Sequence, residues 1–423
     1  MDLSQECRDS IIKHLFEKGC TQVEILRMLK NVHNISVSQR HLRRILQKLG
    51  LKRRSDERSI STIFSAVKVE LQHWSPAKGI RAMHRRIRDE RKIQPCYRND
   101  VNQAMKQFDA TGLRMRTPGK CKIERKNYFS KGPNDVWHID GNDKLKFYGI
   151  WVHLGIDGFS RRIIWLQAGT SNRKPGFIAR YYLDAVIREN GCPQLVRADR
   201  GKENKLVALL QTSFRQRHCD SLAGINSFRY GKSVHNQRAE CFNSYLKKSW
   251  ICLWQERFEK MVGSDILDIS NPVHIHCLQF SFLQLIQNEL KLEAMEWNNH
   301  NIRKQRGVVG PFGKPELLYY SPPEGSNNQL QRVDKDLLEY ATNYCGDADE
   351  PFQVGNKSFR WLCSTQLHGT TFEDRSTIQN ATTCYIHLAS YFMNKLKIMK
   401  ADIPKNFSEA NSIYTFIEQN LRV

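Results

Sequence analysis

The stretch from Pro133 to Leu145, P-N-D-V-W-H-I-D-G-N-D-K-L, constrains the fold more than any other part of the chain. Val136, Trp137 and Ile139 predict a strand that enters a hydrophobic core, and Asp140 ends that strand. A carboxylate at the end of an apolar strand costs free energy unless it is paired or takes part in chemistry. The pattern therefore predicts that Asp140 lies at a functional edge of a sheet.

Two further acids occupy comparable settings. Asp199 ends the short apolar run Q-L-V-R-A-D, 59 residues after Asp140, and Glu240 follows 41 residues later near the start of a helical stretch. Carboxylates from different elements can converge and hold two hard divalent cations, which activate the attacking oxygen and stabilise the leaving oxygen in phosphodiester cleavage. Mg²⁺ keeps several waters, so two or three carboxylates suffice to bind it.

The acids lie within longer motifs, which are W-H-I-D at 137–140, Y-G-I-W-V-H-L-G-I-D-G-F-S-R at 148–161, A-D-R-G-K-E-N at 198–204, H-N-Q-R-A-E at 235–240 and W-N-N-H at 297–300. Over roughly residues 130–320 these motifs resemble the catalytic core of retroviral integrases and DDE transposases. The resemblance is closer to the integrase-core proteins of eukaryotic mobile elements. The zinc-binding His-His-Cys-Cys domain that precedes the core in retroviral integrases has no counterpart here.

The resemblance implies an α/β ribonuclease H-like core, a mixed five-stranded sheet with flanking helices. It implies that Asp140, Asp199 and Glu240 are the catalytic residues and the ligands of two Mg²⁺ or Mn²⁺ ions. The implied activity is DNA 3′-end processing followed by strand transfer. The implied partner is double-stranded DNA, both element ends and target, and two DNA ends call for at least a dimer.

The hydrophobic pattern predicts the elements of this core. Strands are expected near 135–141, 149–157, 161–168, 194–199 and 225–230, and helices over about 173–190 and 202–217 and from near His235.

All-α helix-turn-helix units precede the core. Residues 4–50 read as three helices, with a capping box at Thr21 and Glu24 and an end at Gly50. The third helix would present Arg40, Arg43 and Arg44 to the major groove of DNA; a three-helix bundle used for dimerisation is the alternative. A second helical unit is predicted at 60–112. One helix begins at Ile60, another follows an N-cap at Ser75-Pro76, and a third runs from Arg98 to Phe108. This unit either binds DNA or is a cationic spacer.

The net charge of +23 and the pI near 9.6 point to a polyanionic partner, most simply nucleic acid. Residues 1–130 hold 29 Lys and Arg against 13 Asp and Glu, whereas residues 331–423 hold 10 against 11. Twelve single cysteines without C-x-x-C fit a reducing compartment. We expect no secretion signal, no membrane span and a nuclear location, with K-R-R at 52–54 as either an import patch or plain surface.

Lys247 lies seven residues after Glu240 and is interpreted as a DNA contact, with a solvated lysine as the alternative. Asn236 and Gln237 lie at the helix start, where they either cap the helix or contact DNA, and Asp143 lies either at the surface or just behind the acids. The remaining residues near the motifs receive structural interpretations: Gly201 in a tight turn, Glu203 as an N-terminal helix acid, Asp157 in a turn, and His274 and His276 on a helix flank rather than in a zinc site.

The predicted domains are 1–54, 60–115, 130–320 and 330–423, separated by basic linkers at 51–59 and 115–128 and by S-P-P-E-G-S-N-N-Q at 321–329. The tail is expected to hold helices near 334–343 and 384–398, with F-R-W-L-C between them as a strand. It carries no recognised motif, so its role stays open, with protein interaction as one candidate. Two alternatives to an integrase stay open: a domesticated, catalytically inactive DNA-binding or scaffold protein, and a hydrolytic nuclease of the same fold.

Overall fold

The computed structural model describes residues 5–52, 59–73, 79–93, 95–110, 113, 128–231, 236–304, 310–345 and 350–422. The predicted cap at Ser75-Pro76, the start of a helix at His235 and most of the two basic linkers lie outside these residues. The chain divides into two compact units. One comprises 1–136, 157–162 and 295–330, and the other comprises 137–156, 163–294 and 331–423.

A five-stranded sheet forms the centre of the second unit. Its strands are β1 (Val136–Asn142), β2 (Trp151–Asp157), β3 (Ile163–Gly169), β4 (Leu195–Asp199) and β5 (Phe228–Gly231). The order across the sheet is β3-β2-β1-β4-β5, with β2 and β3 antiparallel and β4 and β5 parallel. The mixed sheet confirms the predicted ribonuclease H-like core, and β1 occupies its middle.

The strands are buried because their apolar side chains meet helices and one another. Trp137 of β1 is fully buried and packs edge-on against Trp165 and Tyr182, with ring centroids 6.1 and 6.3 Å apart. The helices after β3 are α7 (Pro175–Glu189), α8 (Lys205–Phe214), α9 (Gln237–Leu246), α10 (Cys252–Gly263) and α11 (Pro272–Asn299). A π-helical segment, Lys247–Ile251, joins α9 to α10. The sequence pattern does not predict this segment.

Three short helices begin the chain, as predicted: α1 (Gln5–Glu17), α2 (Gln22–His33) and α3 (Gln39–Lys48). The predicted capping box is present, since Thr21 Oγ1 accepts from the Glu24 amide at 3.3 Å and the Thr21 amide donates to Glu24 Oε2 at 2.6 Å. Their common core includes Leu42, Ile45 and Leu46 of α3.

The helix α12 (Pro315–Tyr320) completes this N-terminal core through Leu317. Beside it, Lys314 Nζ donates to the Gly19 carbonyl at 3.0 Å, and Asn31 Nδ2 donates to Ser321 Oγ at 2.7 Å. The three-helix unit is therefore fixed to a segment more than 260 residues further along the chain.

A second helical cluster contains α4 (Ile60–His73), α5 (Ile80–Arg85) and α6 (Arg98–Phe108). The helix that was predicted to follow Ser75-Pro76 continues after α5 as a π-helical segment, Arg86–Glu90. Ile63, Val67, Met83 and Val101 belong to its separate core, so the cluster has a hydrophobic interior of its own.

The tail is helical, with α13 (Lys335–Tyr344), α14 (Lys357–Leu367), α15 (Ile378–Ile398) and α16 (Phe407–Arg422). The prediction of a strand at F-R-W-L-C is wrong, because these residues lie within α14. The side chain of Asn356 caps this helix by accepting a hydrogen bond from the Phe359 amide at 2.8 Å. Among the described residues, no helix is both long and apolar enough to cross a membrane.

The segment 321–329, which its composition predicts to be a linker, is irregular and contacts the residues before β1. The Gln329 amide donates to the Pro133 carbonyl at 2.8 Å, and Asn134 Nδ2 donates to Asn328 Oδ1 at 2.8 Å. These contacts hold the segment against the residues that lead into β1.

Candidate active site

The three predicted acids come from three elements of the sheet unit. Asp140 lies in β1, two residues before that strand ends, and Asp199 is the last residue of the neighbouring β4. Glu240 lies in the first turn of α9 and is exposed, whereas the two aspartates are half-buried. The charges of Asp199 and Glu240 both act on Asp140, which places the three carboxylates in one acidic site.

The electrostatics of this acidic site favour a cation. Burial, then the charges of Asp199 and Glu240, raise the pKa of Asp140 from 3.8 to about 7, against hydrogen bonds from Asn243 and the Gly141 amide. Burial also raises the pKa of Asp199, and the Asn236 side chain partly offsets that rise. Like charges in close proximity disfavour joint ionisation, and a bound divalent cation reverses this effect.

Asn236 connects the start of α9 to the central strand. Its Oδ1 accepts from His138 Nδ1 at 2.8 Å and its Nδ2 donates to the Ile139 carbonyl at 3.0 Å. Both side chains are buried, and burial lowers the pKa of His138 to about 3, so the imidazole is neutral. Asn236 therefore joins the helix that carries Glu240 to β1, instead of capping α9 through its side chain.

Asn243 makes the most direct contact with the acids, and sequence reasoning missed it. Its Nδ2 donates to Asp140 Oδ2 at 2.7 Å, and its Oδ1 accepts from Asn142 Nδ2 at 3.1 Å. The signal was present in the spacing, because Asn236, Glu240 and Asn243 are four and three residues apart and share a helix face. Asn243 fixes one carboxylate oxygen of Asp140.

The residues after Asp199 shape the turn. Gly201 has an ordinary φ of −139°, and a Cβ there would lie 1.8 Å from Glu203 Oε1, the end of a flexible side chain that can move aside. Glu203 lies in a 3₁₀ turn, and Asn204 Nδ2 donates to the Asp199 carbonyl at 3.3 Å.

Of the other turn acids, Asp143 is exposed, as expected. Asp157 was predicted to lie in a turn, but it is the last residue of β2, directly before that turn. It is fully buried and accepts from the Asn134 and Ser160 amides at 2.7 Å each.

The predicted DNA contacts are separate from these acids in sequence and element. Arg40, Arg43 and Arg44 are exposed on α3, and Arg43 Nε donates to Gln22 Oε1 at 3.2 Å. Lys247 is exposed at the point where α9 gives way to the π-helical segment. Their role in DNA binding stays a prediction.

The histidines of H-I-H-C lie in α11, on the helix flank that was predicted. His274 Nδ1 and the Tyr385 hydroxyl are 2.9 Å apart, and His276 Nδ1 and the Tyr414 hydroxyl are 3.1 Å apart. Burial lowers the pKa of His276 to about 4. Both imidazoles therefore pack among tail helices.

The donor set of the acidic site fits a hard divalent cation. Carboxylate oxygens are the ligands that Mg²⁺ and Mn²⁺ prefer. Asp199 Oδ1 is buried and has no hydrogen-bond partner among the described residues, as expected for an oxygen reserved for a cation. In the described part of the chain, however, no three His, Cys, Asp or Glu side chains lie in a metal-binding arrangement.

The mixed five-stranded sheet with its flanking helices is a ribonuclease H-like core, and it carries candidate acids on two adjacent strands and on a following helix. Residues 127–312 match the family model described as integrase core domain. This match supports an integrase or transposase catalytic core in that part of the chain, and it suggests an integrase- or transposase-like function in DNA processing with DNA as a partner in general. A search of curated proteins found no match for the chain.

Proposed function

We propose that the protein is a DDE-type polynucleotidyl transferase that processes DNA 3′ ends and joins them to target DNA. The observation that carries the proposal is the acidic site, where Asp199 and Glu240 both raise the pKa of Asp140 on the central strand. Asp140, Asp199 and Glu240 would hold two Mg²⁺ or Mn²⁺ ions. When bound, such ions activate an attacking oxygen and stabilise a leaving oxygen.

The chemistry requires two phosphodiester exchanges at one site. Water first attacks a phosphodiester near the element end and displaces a 3′ oxygen, which leaves as a 3′-hydroxyl. That hydroxyl then attacks a target phosphodiester, so one P–O bond forms as another breaks and no covalent enzyme intermediate is needed.

The chain's own residues would orient these steps. Asn243 holds Asp140 Oδ2, which fixes the direction of the remaining carboxylate oxygen. Asn236 ties the first turn of α9 to β1, which sets the position of Glu240 relative to the strand. Both asparagines are positioning residues, because they act through the acids.

Three accompanying proposals follow from the same activity. Arg40, Arg43 and Arg44 on α3, together with Lys247, contact double-stranded DNA. The protein self-associates, because strand transfer at two DNA ends requires two active sites. It acts in the nucleus, which the basic residues at 52–54 support, and it derives from a eukaryotic mobile element.

The test is cleavage and strand transfer by the full chain on a labelled duplex carrying the sequences that flank the coding region, with Mg²⁺ or Mn²⁺. We expect Asp140→Asn and Glu240→Gln to abolish both reactions. Glu203→Gln is the matched control, since it makes the same change in a neighbouring acid and should leave activity intact. Loss in Glu203→Gln with activity retained in Glu240→Gln would mean that the third acid is misassigned.

One observation favours a second candidate, a DNA-binding protein without catalysis. The acids lack a metal-binding arrangement within the described residues. DNA binding by the wild-type protein, without cleavage under any divalent cation and without a Mn²⁺-dependent rise in melting temperature, would favour this candidate. Cleavage without strand transfer would favour a hydrolytic nuclease.

A further inference from the structure

Four arginines outside α3 form a second basic surface, which we call the arginine surface: Arg81, Arg85, Arg98 and Arg303. Arg81 and Arg85 are one helical turn apart on α5, and Arg98 begins α6. Arg303 follows α11, more than 200 residues later, yet its charge is the largest influence that lowers the pKa of Arg81. Arg81, Arg98 and Arg303 are exposed.

A buried framework holds these like charges together. Arg86, next to Arg85, is 2 % exposed, and its Nη1 lies 3.3 Å from Glu296 Oε1 in the last turns of α11. Beyond that helix, the Ile302 amide donates to the Gly313 carbonyl at 2.8 Å and the return bond is 3.0 Å. These contacts hold the neighbours of Arg85 and of Arg303 in place, so the backbone keeps the like charges of the arginine surface near one another.

The neighbouring acids do not neutralise the arginine surface. Glu70, Glu90 and Glu296 all pair with Arg86, and Asp89 pairs with Arg88. Within the described ranges no acidic side chain forms an ion pair with any of the four arginines. Arg85 Nε is buried and has no hydrogen-bond partner among those residues. Clustered cations without counter-charges are a recognition surface for a polyanion.

We propose that the arginine surface binds the phosphate backbone of double-stranded DNA, as a second contact besides α3. This inference rests on the proposed function, since it assumes DNA as the substrate. Guanidinium groups match phosphate oxygens in a bidentate manner, and contacts to phosphates position a duplex without reading its sequence. Four arginines contributed by three separate segments suit a continuous line of phosphates better than a short acidic peptide.

The experiment measures the affinity of the full chain for a duplex of random sequence, in EDTA, over a series of salt concentrations. Each phosphate contact contributes about 0.9 to the slope of log K against log salt. We expect Arg81→Gln/Arg303→Gln to reduce that slope by about 2. Arg81→Lys/Arg303→Lys keeps the charges and should restore most of it.

Lys68→Gln/Lys106→Gln is the matched control. Both lysines are exposed on α4 and α6 of the same helical cluster, and the double change removes the same charge. Its slope should equal that of the wild type, and circular dichroism of both double variants checks that they fold.

Equal slopes in the two glutamine variants would overturn the inference and leave the proposed function standing if the wild type still cleaves DNA. The inference would also be overturned if Arg81→Gln/Arg303→Gln weakened binding to poly-glutamate but left DNA binding unchanged. That result would assign the surface to an acidic protein. No DNA binding by the wild type would refute both proposals.

Discussion

Arg86 offers the sharpest test of how the second helical cluster is held together. Its guanidinium is 2 % exposed and lies 2.8 Å from Glu70 and 3.3 Å from both Glu90 and Glu296. Glu70 and Glu296 are 4 % and 3 % exposed, so Arg86 contributes to the charge compensation of both carboxylates, and Arg91 Nε is a second partner of Glu70 at 2.7 Å. Removing one partner of a buried ion pair costs about 3–5 kcal/mol, because the remaining charge stays desolvated.

We therefore expect Arg86→Met, which keeps most of the apolar packing, to lower the opening free energy of this cluster by about 3–5 kcal/mol. Hydrogen exchange of the amides in α4 and α6 measures that quantity for this part of the molecule alone. The double variant Arg86→Met/Glu296→Gln also neutralises the Glu296 carboxylate, so it should regain at least about 1 kcal/mol of the lost opening free energy.

The control is Lys260→Met, which breaks the exposed pair of Lys260 Nζ with Glu256 Oε1 at 2.8 Å. Exposed helical pairs are worth about 0.3–0.5 kcal/mol, so this change should be nearly silent. A cost for Arg86→Met as small as that of Lys260→Met would refute the argument that Arg86 compensates the buried charges.

Two further predictions concern the sheet unit. Asn243→Ala should weaken Mn²⁺ binding about 10–100-fold, because Asp140 loses its orienting hydrogen bond. Ser244→Ala, on the exposed side of the helix, should leave Mn²⁺ binding unchanged. Calorimetric titration measures both affinities, and equal values in the two variants would contradict the role assigned to Asn243. Burial lowers the pKa of His153 to about 3 and that of His276 to about 4, so the unfolded chain binds more protons below its histidine pKa of about 6.5. Stability should therefore be complete above that pH and fall on acidification, by up to about 1.4 kcal/mol per pH unit for each histidine. The measurement is the midpoint of urea unfolding as a function of pH. If the midpoints of His153→Gln and His276→Gln fell on acidification as much as that of the wild type, the prediction would be contradicted.

Much of the core was predictable because its pattern is local. The strands at 136–142 and 195–199 and the helix at 175–189 lie within two residues of the predicted bounds, since apolar runs, prolines and caps mark them. The acids at 140, 199 and 240 could be proposed as a candidate site for the same reason, since each lies at or near the end or the beginning of an element.

What the pattern missed depends on partners distant in sequence. The π-helical segment after α9 turns Trp250 and Trp254 toward α11, where both indoles donate to Glu289 Oε2 at 3.0 and 2.8 Å. Asn243 acquires its role only when β1 lies beside α9. F-R-W-L-C reads as a strand by its aromatic content, but a cap and packing on α11 impose a helix.

The aromatic cluster around His276 bears on how the molecule can be divided for study. Phe359, Phe407 and Tyr414 of the tail surround that imidazole, with ring centroids 5.4, 4.8 and 5.7 Å away. The segment that matches the family ends at residue 312, but α11 has its apolar side covered by helices that extend to residue 422. A fragment cut to the family boundary would expose this side to water and to other fragments. An excised core should therefore precipitate, whereas a fragment that retains the tail should stay monodisperse.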